Sequence, residues 1–206
     1  MQVCGVDEAG RGSLLGPLVI AGVSVKKEKI KKLKSMGIRD SKKLTPSQRE
    51  KLYKKIIKFV DNYYVAKIYP FTIDKSVYKH DLNNLEAKYM AKVISKLKPH
   101  TSYVDSCDVN PSRFGKKISK MAKTNRVKSY HHADSRFIIV SAASIIAKVT
   151  RDREIKKIQK TYNIGSGYPS DTKTMEFMKK YLLTGNKIPN FVRSSWKPVQ
   201  NMLYEI

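Results

Sequence analysis

The sequence predicts an α/β domain with a mixed sheet and a helical carboxyl-terminal extension. Three observations indicate this fold class: apolar, β-branched runs come early in the chain, strand and helix patterns alternate in its middle, and helical patterns end it. The 206 residues are enough to bury a substantial core, and the hydrophobic content of 41% is typical of a folded globular protein. No repeat, low-complexity tract or long linker interrupts the chain.

Five segments are predicted to be strands. Residues 1–8 form a short strand that ends in two acids, and "PLVIAGVSV" at 17–25 is a nearly continuous apolar run, typical of a buried strand. The other three are "YYVAKIYPF" at 63–71, "TSYVDS" at 101–106 and a strand within "NRVKSYHHAD" at 125–134. The charged residues 26–38 are expected to form a helix or loop.

Two helices are predicted in the middle of the chain. Thr45 and Pro46 are the expected N-cap and first residue of one helix, and its apolar stripe is Leu52, Ile56 and Phe59. The second helix lies within residues 83–99. Its inward-facing residues are Leu85, Met90, Val93 and Leu97, and Pro99 follows its end.

The last third of the chain is predicted to be mostly helical. Residues 135–162 form a long helix whose small residues allow it to lie close against a sheet: Ala142, Ala143, Ser144 and Ala147. The segment "GSGYPSD" at 165–171 ends that helical region, and Ser170 or Asp171 caps the next helix. A final amphipathic segment contains Phe191, Trp196, Val199 and Leu203.

The net charge points to a polyanionic partner. Lysine and arginine total 42 against 17 acidic residues, which gives a formal charge of +25. Nucleic acid is the partner this charge favours, whereas a solubility device or a thermophile's lysine content is the alternative. A membrane surface is less favoured, because the lysines do not gather into one tail or one amphipathic helix. No signal peptide or membrane span is recognised, and Cys4 and Cys107 are expected to be reduced thiols in a cytoplasm.

Four acids share one position in the predicted fold. Asp7, Glu8, Asp105 and Asp134 each lie at or just beyond the carboxyl end of a predicted strand, where sites assemble in open α/β sheets. Clustered carboxylates repel one another unless a cation lies among them, and their oxygen atoms suit Mg²⁺ or Mn²⁺. Paired ions of this kind drive phosphodiester hydrolysis by activating a water molecule and stabilising the leaving oxygen.

Structural alternatives remain open for each acid. Asp134 could be only the N-cap of the long helix, and Asp105 competes with Asp108, since either can be an ordinary turn residue. His131 and His132 are interpreted as surface groups or groups around the site rather than ligands.

The segment after the first acid pair has its own possible role. Neighbouring strand residues point to opposite faces, so Asp7 and Glu8 meet at one site only if the chain bends, and the glycines that follow permit that bend. Exposed amides of Gly10–Gly12 could hold a phosphate. Tyr168 is either a packing residue or a ring that stacks on a sugar or base.

Taken together, these segments resemble the type 2 ribonucleases H, and the archaeal branch in particular. The matching segments occur in the family's order over most of the chain: "GVDEAGRG", "GPLV", "RDSKKLT", "YVDSCDV", "HAD", "VSAASIIAKVTRDR" and "GSGYPSD". The resemblance implies a ribonuclease H-like fold with a mixed five-stranded sheet flanked by helices. It implies a catalytic domain at 1–165 and a helical region at 166–206 packed on it.

The resemblance also implies an activity and its residues. The family hydrolyses RNA in RNA–DNA hybrids and incises on the 5′ side of ribonucleotides in duplex DNA, leaving 3′-hydroxyl and 5′-phosphate ends. Its catalytic, Mg²⁺- or Mn²⁺-binding acids map to Asp7, Glu8, Asp105 and Asp134. Its substrate-binding residues map to Gly10, Arg11, Gly12, Tyr168, Lys42, Lys43 and Lys148. The protein is expected to be a cytoplasmic monomer.

Two departures from the family pattern and three rivals complete the prediction. Ser13 stands where a proline usually follows the glycines, which predicts a less rigid loop, and His132 stands where a lysine is common. A non-catalytic nucleic-acid binder would have no reason to gather acids against phosphate. A type 3 ribonuclease H would carry an extra amino-terminal domain and a glutamate in place of Asp134. A transposase or integrase would lack the Gly10–Gly12 and Tyr168 elements.

Overall fold

The structure is a computed structural model that describes residues 1–38, 44–124 and 126–205. The chain divides into two compact units. The first consists of Met1–Ala9, Ile20–Ala66 and Asn83–Val149, and the second of Gly10–Val19, Lys67–Leu82 and Thr150–Ile206. The division into residues 1–165 and 166–206 stays a prediction.

The sheet is mixed and five-stranded, which confirms the predicted α/β fold class. Its spatial order is β3-β2-β1-β4-β5, and β4 pairs in parallel with both β1 and β5. The strands are β1 Gln2–Ala9, β2 Leu18–Lys26, β3 Asn62–Ile68, β4 Thr101–Asp105 and β5 Val127–Tyr130. Every residue of β2 up to Val25 is buried, as its continuous apolar run predicts.

Nine α-helices lie in the part of the chain that the structure describes. They are α1 Ile30–Ser35, α2 Pro46–Phe59, α3 Pro70–Val77, α4 Leu82–Leu97, α5 Pro111–Ala122, α6 Ala133–Arg136, α7 Ile138–Gln159, α8 Thr172–Leu183 and α9 Lys197–Tyr204. A 3₁₀ turn over Lys27–Lys29 precedes α1.

Local capping signals set where several helices begin. Thr45 caps α2 through a reciprocal pair of hydrogen bonds with Gln48, and Pro46 is its first residue, as predicted. Asp171 rather than Ser170 caps α8, because its carboxylate accepts the Lys173 amide.

Small residues bring the long helix α7 close to strand β1. Ala142, Ala143, Ser144 and Ala147 are fully buried, as predicted. Gly5 of β1 leaves no room for a side chain, since a Cβ there would overlap the backbone of Ile139. This close approach fixes the strand that carries the first two acids.

The third strand is shorter than predicted. The segment at 63–71 was expected to be extended throughout, but β3 ends at Ile68 and Pro70 begins helix α3. Proline is favoured in the first turn of a helix because the missing N–H would have no intrahelical partner there. The carboxylate of Asp74 in α3 accepts hydrogen bonds from the amides and hydroxyls of both Ser194 and Ser195.

The second unit has its own apolar core. Its buried members are Leu14, Leu15, Ile155, Ile164, Met178, Leu182, Val192, Val199 and Met202. An isolated bridge between Leu15 and Val192 joins its first segment to its last. Phe191 and Trp196 pack against this core, so the predicted amphipathic segment is confirmed, although Leu203 is 40% exposed.

Cys4 and Cys107 form no disulfide. Cys4 is fully buried, and this burial raises the pKa of its thiol to about 12. A buried thiol with so high a pKa is unreactive at neutral pH. Among the helices described, none is long and apolar enough to cross a membrane.

Candidate active site

Strand pairing brings the first acids together. Strands β1 and β4 are parallel and aligned so that Val6 is opposite Val104. Asp7 and Asp105 are the next residue on each strand, so both reach the same edge of the sheet. Oxygen atoms from Asp7, Glu8 and Asp105 all lie within 4.8 Å of one another. This group, called the acid cluster below, is the strongest candidate metal site among the described residues.

Asp7 is the most buried member of the acid cluster. Its side chain is 4% exposed, and its Oδ1 accepts the backbone amide of Glu8 at 2.7 Å. Burial first, and then the negative charge of Asp105, raise the pKa of Asp7 to about 7. The nearby Ser144 hydroxyl and the hydrogen bond from the Glu8 amide oppose this shift in the pKa, and the charge of Asp134 adds to it. The cluster therefore holds more negative charge than its own environment stabilises.

Asp105, and not Asp108, belongs to the acid cluster. The Oδ1 atom of Asp105 accepts the backbone amide of Ala133 at 2.5 Å, which orients the carboxylate. Asp108 instead organises the turn before α5, where it accepts the Asn110 amide at 2.9 Å and pairs with Arg113 at 2.6 Å. Of the two acids between which the sequence left a choice, Asp105 lies in the acid cluster and Asp108 is the turn residue.

Asp134 occupies the second position of the short helix α6. It is not the N-cap of the long helix, which begins four residues later at Ile138, so that alternative is wrong. Its carboxylate is outside the group of three, but its charge contributes to the raised pKa of Asp7. His132 precedes α6 with a left-handed φ of 52°, and both His131 and His132 are exposed.

The loop after β1 contains the glycine element. Gly10 has a φ of 86°, and a Cβ there would lie 2.9 Å from both the Arg151 side chain and the Pro17 carbonyl. Only glycine fits this position. Arg11 and Gly12 form the turn that follows, which confirms the predicted bend.

Ser13 holds this loop in place. The residue is fully buried, and its hydroxyl lies 2.7 Å from the Leu15 carbonyl and 2.9 Å from that of Gly167. The same oxygen accepts a hydrogen bond from Arg151 at 2.9 Å. The expectation of a less rigid loop is not supported, because hydrogen bonds supply the constraint that a proline ring would otherwise give.

Tyr168 lies on a tightly bonded loop in the same unit. The Gly167 carbonyl accepts the Leu14 amide at 2.7 Å, and the Gly167 amide donates to Thr174. The Asp171 carboxylate accepts the Ser166 amide at 2.5 Å. The half-buried ring of Tyr168 contacts the Arg151 guanidinium at 4.2 Å, so the packing and stacking interpretations are both compatible with its position.

Two arginines that no sequence pattern singled out are buried in the structure. Arg193 is fully buried and donates to the carbonyls of Gly16 at 3.1 Å and Arg11 at 2.8 Å. Arg151 is 4% exposed and lies in a segment that the family resemblance already matched. Arg193 gave a usable signal, since it is the only charge in the otherwise uncharged "PNFVRSSW".

Of the three lysines predicted to bind substrate, the structure describes one. Lys148 is half-buried on α7. Lys42 and Lys43 lie outside the described residues.

The acid cluster has the chemistry of a divalent-cation site. Three carboxylates supply hard oxygen ligands. The raised pKa of Asp7 reflects its burial and, secondly, repulsion from Asp105, and a nearby cation would offset both. The residues therefore fit Mg²⁺ or Mn²⁺.

Comparison with known proteins agrees with this chemistry. A family model described as ribonuclease HII matches residues 4–199. A ribonuclease HII of Cenarchaeum symbiosum (strain A) is 56% identical over 200 residues, which are 97% of either chain.

Two solved structures share the fold. The ribonuclease H2 from Pyrococcus horikoshii OT3 superimposes with a TM-score of 0.93 at 44% identity, over 100% of this chain and 98% of that one. The RNase HII in a complex with PCNA from Archaeoglobus fulgidus gives a TM-score of 0.89 at 39% identity, over 96% of each chain. With its family match, its full-length relatives and its acid cluster, the chain belongs to the ribonuclease HII family, whose members cleave the RNA of RNA–DNA hybrids.

Proposed function

We propose that this protein incises RNA–DNA hybrids and also cuts on the 5′ side of single ribonucleotides embedded in duplex DNA. The products would carry 3′-hydroxyl and 5′-phosphate ends. The observation that supports a hydrolytic site is the acid cluster, because a protein that only bound nucleic acid would gain nothing from three carboxylates facing phosphate.

In this proposal Asp7, Glu8 and Asp105 hold the divalent cations, and Asp134 is the fourth acid. When bound, such ions activate a water molecule and stabilise the leaving oxygen of a phosphodiester. The chain's own contribution is orientation. The Glu8 amide holds the Asp7 carboxylate, and the Ala133 amide holds that of Asp105, so the ligand oxygens are fixed before substrate arrives.

Substrate selection requires a group that senses the 2′-hydroxyl, since this group distinguishes RNA from DNA. We assign that role to backbone groups of Gly10–Gly12, which follow the catalytic acid pair in the chain. Tyr168 is proposed to stack on the sugar that follows the ribonucleotide, because stacking tolerates a missing hydroxyl. Lys42, Lys43 and Lys148 are proposed phosphate contacts.

The setting proposed is a monomer in the cytoplasm. The absence of a disulfide between Cys4 and Cys107 is compatible with a reducing compartment.

Cleavage of a DNA duplex with a single ribonucleotide tests this function. The duplex is end-labelled on the ribonucleotide strand and incubated with Mg²⁺, Mn²⁺ or a chelator. We expect metal-dependent cutting on the 5′ side of the ribonucleotide and none of an all-DNA duplex. Asp61→Asn is a matched control, since Asp61 pairs with Lys29 and is not a member of the acid cluster. Binding without cutting in either metal would instead favour a non-catalytic binding module.

A further inference from the structure

Arg151, which lies on helix α7, contacts both of the loops that are proposed to recognise the substrate. The side chain is 5% exposed. Its Nη2 donates to the Ser13 hydroxyl at 2.9 Å and to the Ser166 carbonyl at 2.6 Å. Its Nη1 lies 3.7 Å from the neighbouring carboxylate of Asp152, so the buried charge has an anionic partner nearby.

The guanidinium also covers the ring of Tyr168. Its central carbon lies 4.2 Å from the ring centroid, within the range of a cation–π contact. A ring with one face covered in this way can stack on a substrate sugar only through its other face. Arg151 therefore limits both the position and the available face of Tyr168.

The stem of Arg151 contacts the glycine loop as well. A Cβ on Gly10 would lie 2.9 Å from the Cδ of Arg151. Through Gly10 and Ser13 on one side and Ser166 and Tyr168 on the other, one side chain joins the two loops within a single compact unit.

We propose that Arg151 is a positioning residue that fixes the Tyr168 ring relative to the Gly10–Ser13 loop and so sets the selectivity for RNA-to-DNA junctions. The inference rests on the proposed function and adds a residue to it. Arginine suits this role because its planar fork donates to two acceptors while stacking on a ring, which the ammonium group of lysine cannot do.

The test compares two substrates with the full-length protein. Arg151→Lys keeps the charge but loses the planar fork. On a DNA duplex with one ribonucleotide, we expect kcat/KM to fall about tenfold, the size expected for losing a desolvated stacking contact. On a uniform RNA–DNA hybrid the expected fall is less than about twofold, because we assign Tyr168 to the junction sugar.

A double-mutant cycle separates positioning from general stability. If Arg151 acts through the Tyr168 ring, Arg151→Lys in a Tyr168→Ala background will cause no further loss of kcat/KM on the single-ribonucleotide duplex. Ser13→Ala removes one hydrogen-bond partner of Arg151. Like Arg151→Lys, it should lower kcat/KM on the single-ribonucleotide duplex more than kcat/KM on the uniform hybrid. Lys156→Ala is the control, an exposed lysine on the same helix. Thermal unfolding checks that each variant is folded.

Either of two results would overturn the inference. One is that Arg151→Lys lowers kcat/KM equally on both substrates. The other is that the losses from Arg151→Lys and Tyr168→Ala add in the double variant. Failure of the proposed function would look different, because the unmodified protein would then leave the single-ribonucleotide duplex uncut.

Discussion

Asp7 and Asp105 follow two residues that pair across parallel strands, and their carboxylate oxygens lie within 4.8 Å of each other. A parallel register that places two acids side by side at a sheet edge concentrates negative charge there. Burial of the Asp7 carboxylate, and secondly the charge of Asp105, raise the pKa of Asp7 to about 7. The acid cluster is therefore unfavourable for the metal-free protein and suited to a cation.

Asp7→Asn should abolish cleavage and stabilise the metal-free protein. The pKa of Asp7 rises from an ordinary 3.8 to about 7 on folding, so the folded state binds more protons between these values. Stability therefore falls as pH rises through this interval, and the penalty is complete above pH 7. At pH 8 with a chelator, we expect the variant to melt at least about 2 °C higher than the unmodified protein.

Added Mg²⁺ provides the control for this prediction. It should raise the melting temperature of the unmodified protein and have a smaller effect on Asp7→Asn, which has lost a ligand. A variant that melts at a lower temperature than the unmodified protein in chelator would show that the Asp7 carboxylate does not destabilise the metal-free protein. A variant that still cleaves would show that Asp7 is not an essential metal ligand.

Asp105→Asn and Asp108→Asn form a second test, with acids only three residues apart. The first should abolish cleavage. The second should leave kcat within about twofold of the original, while lowering stability at neutral pH by about 1 kcal/mol. The Asn110 amide and Arg113 lower the pKa of Asp108, so its contribution to stability is present above its ordinary pKa and lost in acid. Strong loss of activity in Asp108→Asn would contradict the assignment.

Gly5→Ala should destabilise the fold. The added Cβ would overlap the backbone of Ile139 in α7, and backbone cannot move aside as a side chain can. We expect a cost of about 3 kcal/mol, or a fall of roughly 6–12 °C in melting temperature. Gly12→Ala is the comparison for stability, because no atom lies within 4 Å of a Cβ there, and it should melt within about 2 °C of the original. Equal melting of both variants would mean that β1 and α7 are not in close contact.

Binding of an RNA–DNA hybrid should weaken steeply with salt. A formal charge of +25 implies that phosphate contacts release counterions. Measured by fluorescence anisotropy in a chelator, affinity should fall at least about 100-fold between 50 and 200 mM salt. A hybrid of RNA with an uncharged peptide backbone is the control and should show a smaller slope. Equal slopes for the two hybrids would show that the charge of the DNA strand does not contribute to binding.

The elements with strong local signals were predictable from sequence. The apolar run of β2 and the Thr45–Pro46 start of α2 are both where the sequence indicates. Helix α3 was missed because an aromatic, β-branched segment continues past Ile68, so strand propensity outweighed the Pro70 signal.

The site was only partly predictable. The positions of the acids at strand ends suggested a cluster, but the choice between Asp105 and Asp108 depends on hydrogen bonds that no local pattern reveals. Arg151 was missed for a similar reason. A charged residue in a helix rich in charge is usually solvated, and only the fold shows that this one is buried against Tyr168.

Anomalous diffraction from crystals soaked in Mn²⁺ tests the central claim most directly. The acid cluster predicts an anomalous peak with Asp7, Glu8 and Asp105 as ligands, and no such peak in crystals of Asp7→Asn. A well-ordered acid cluster with no ion at millimolar Mn²⁺, in a protein that still cleaves hybrids, would contradict the account.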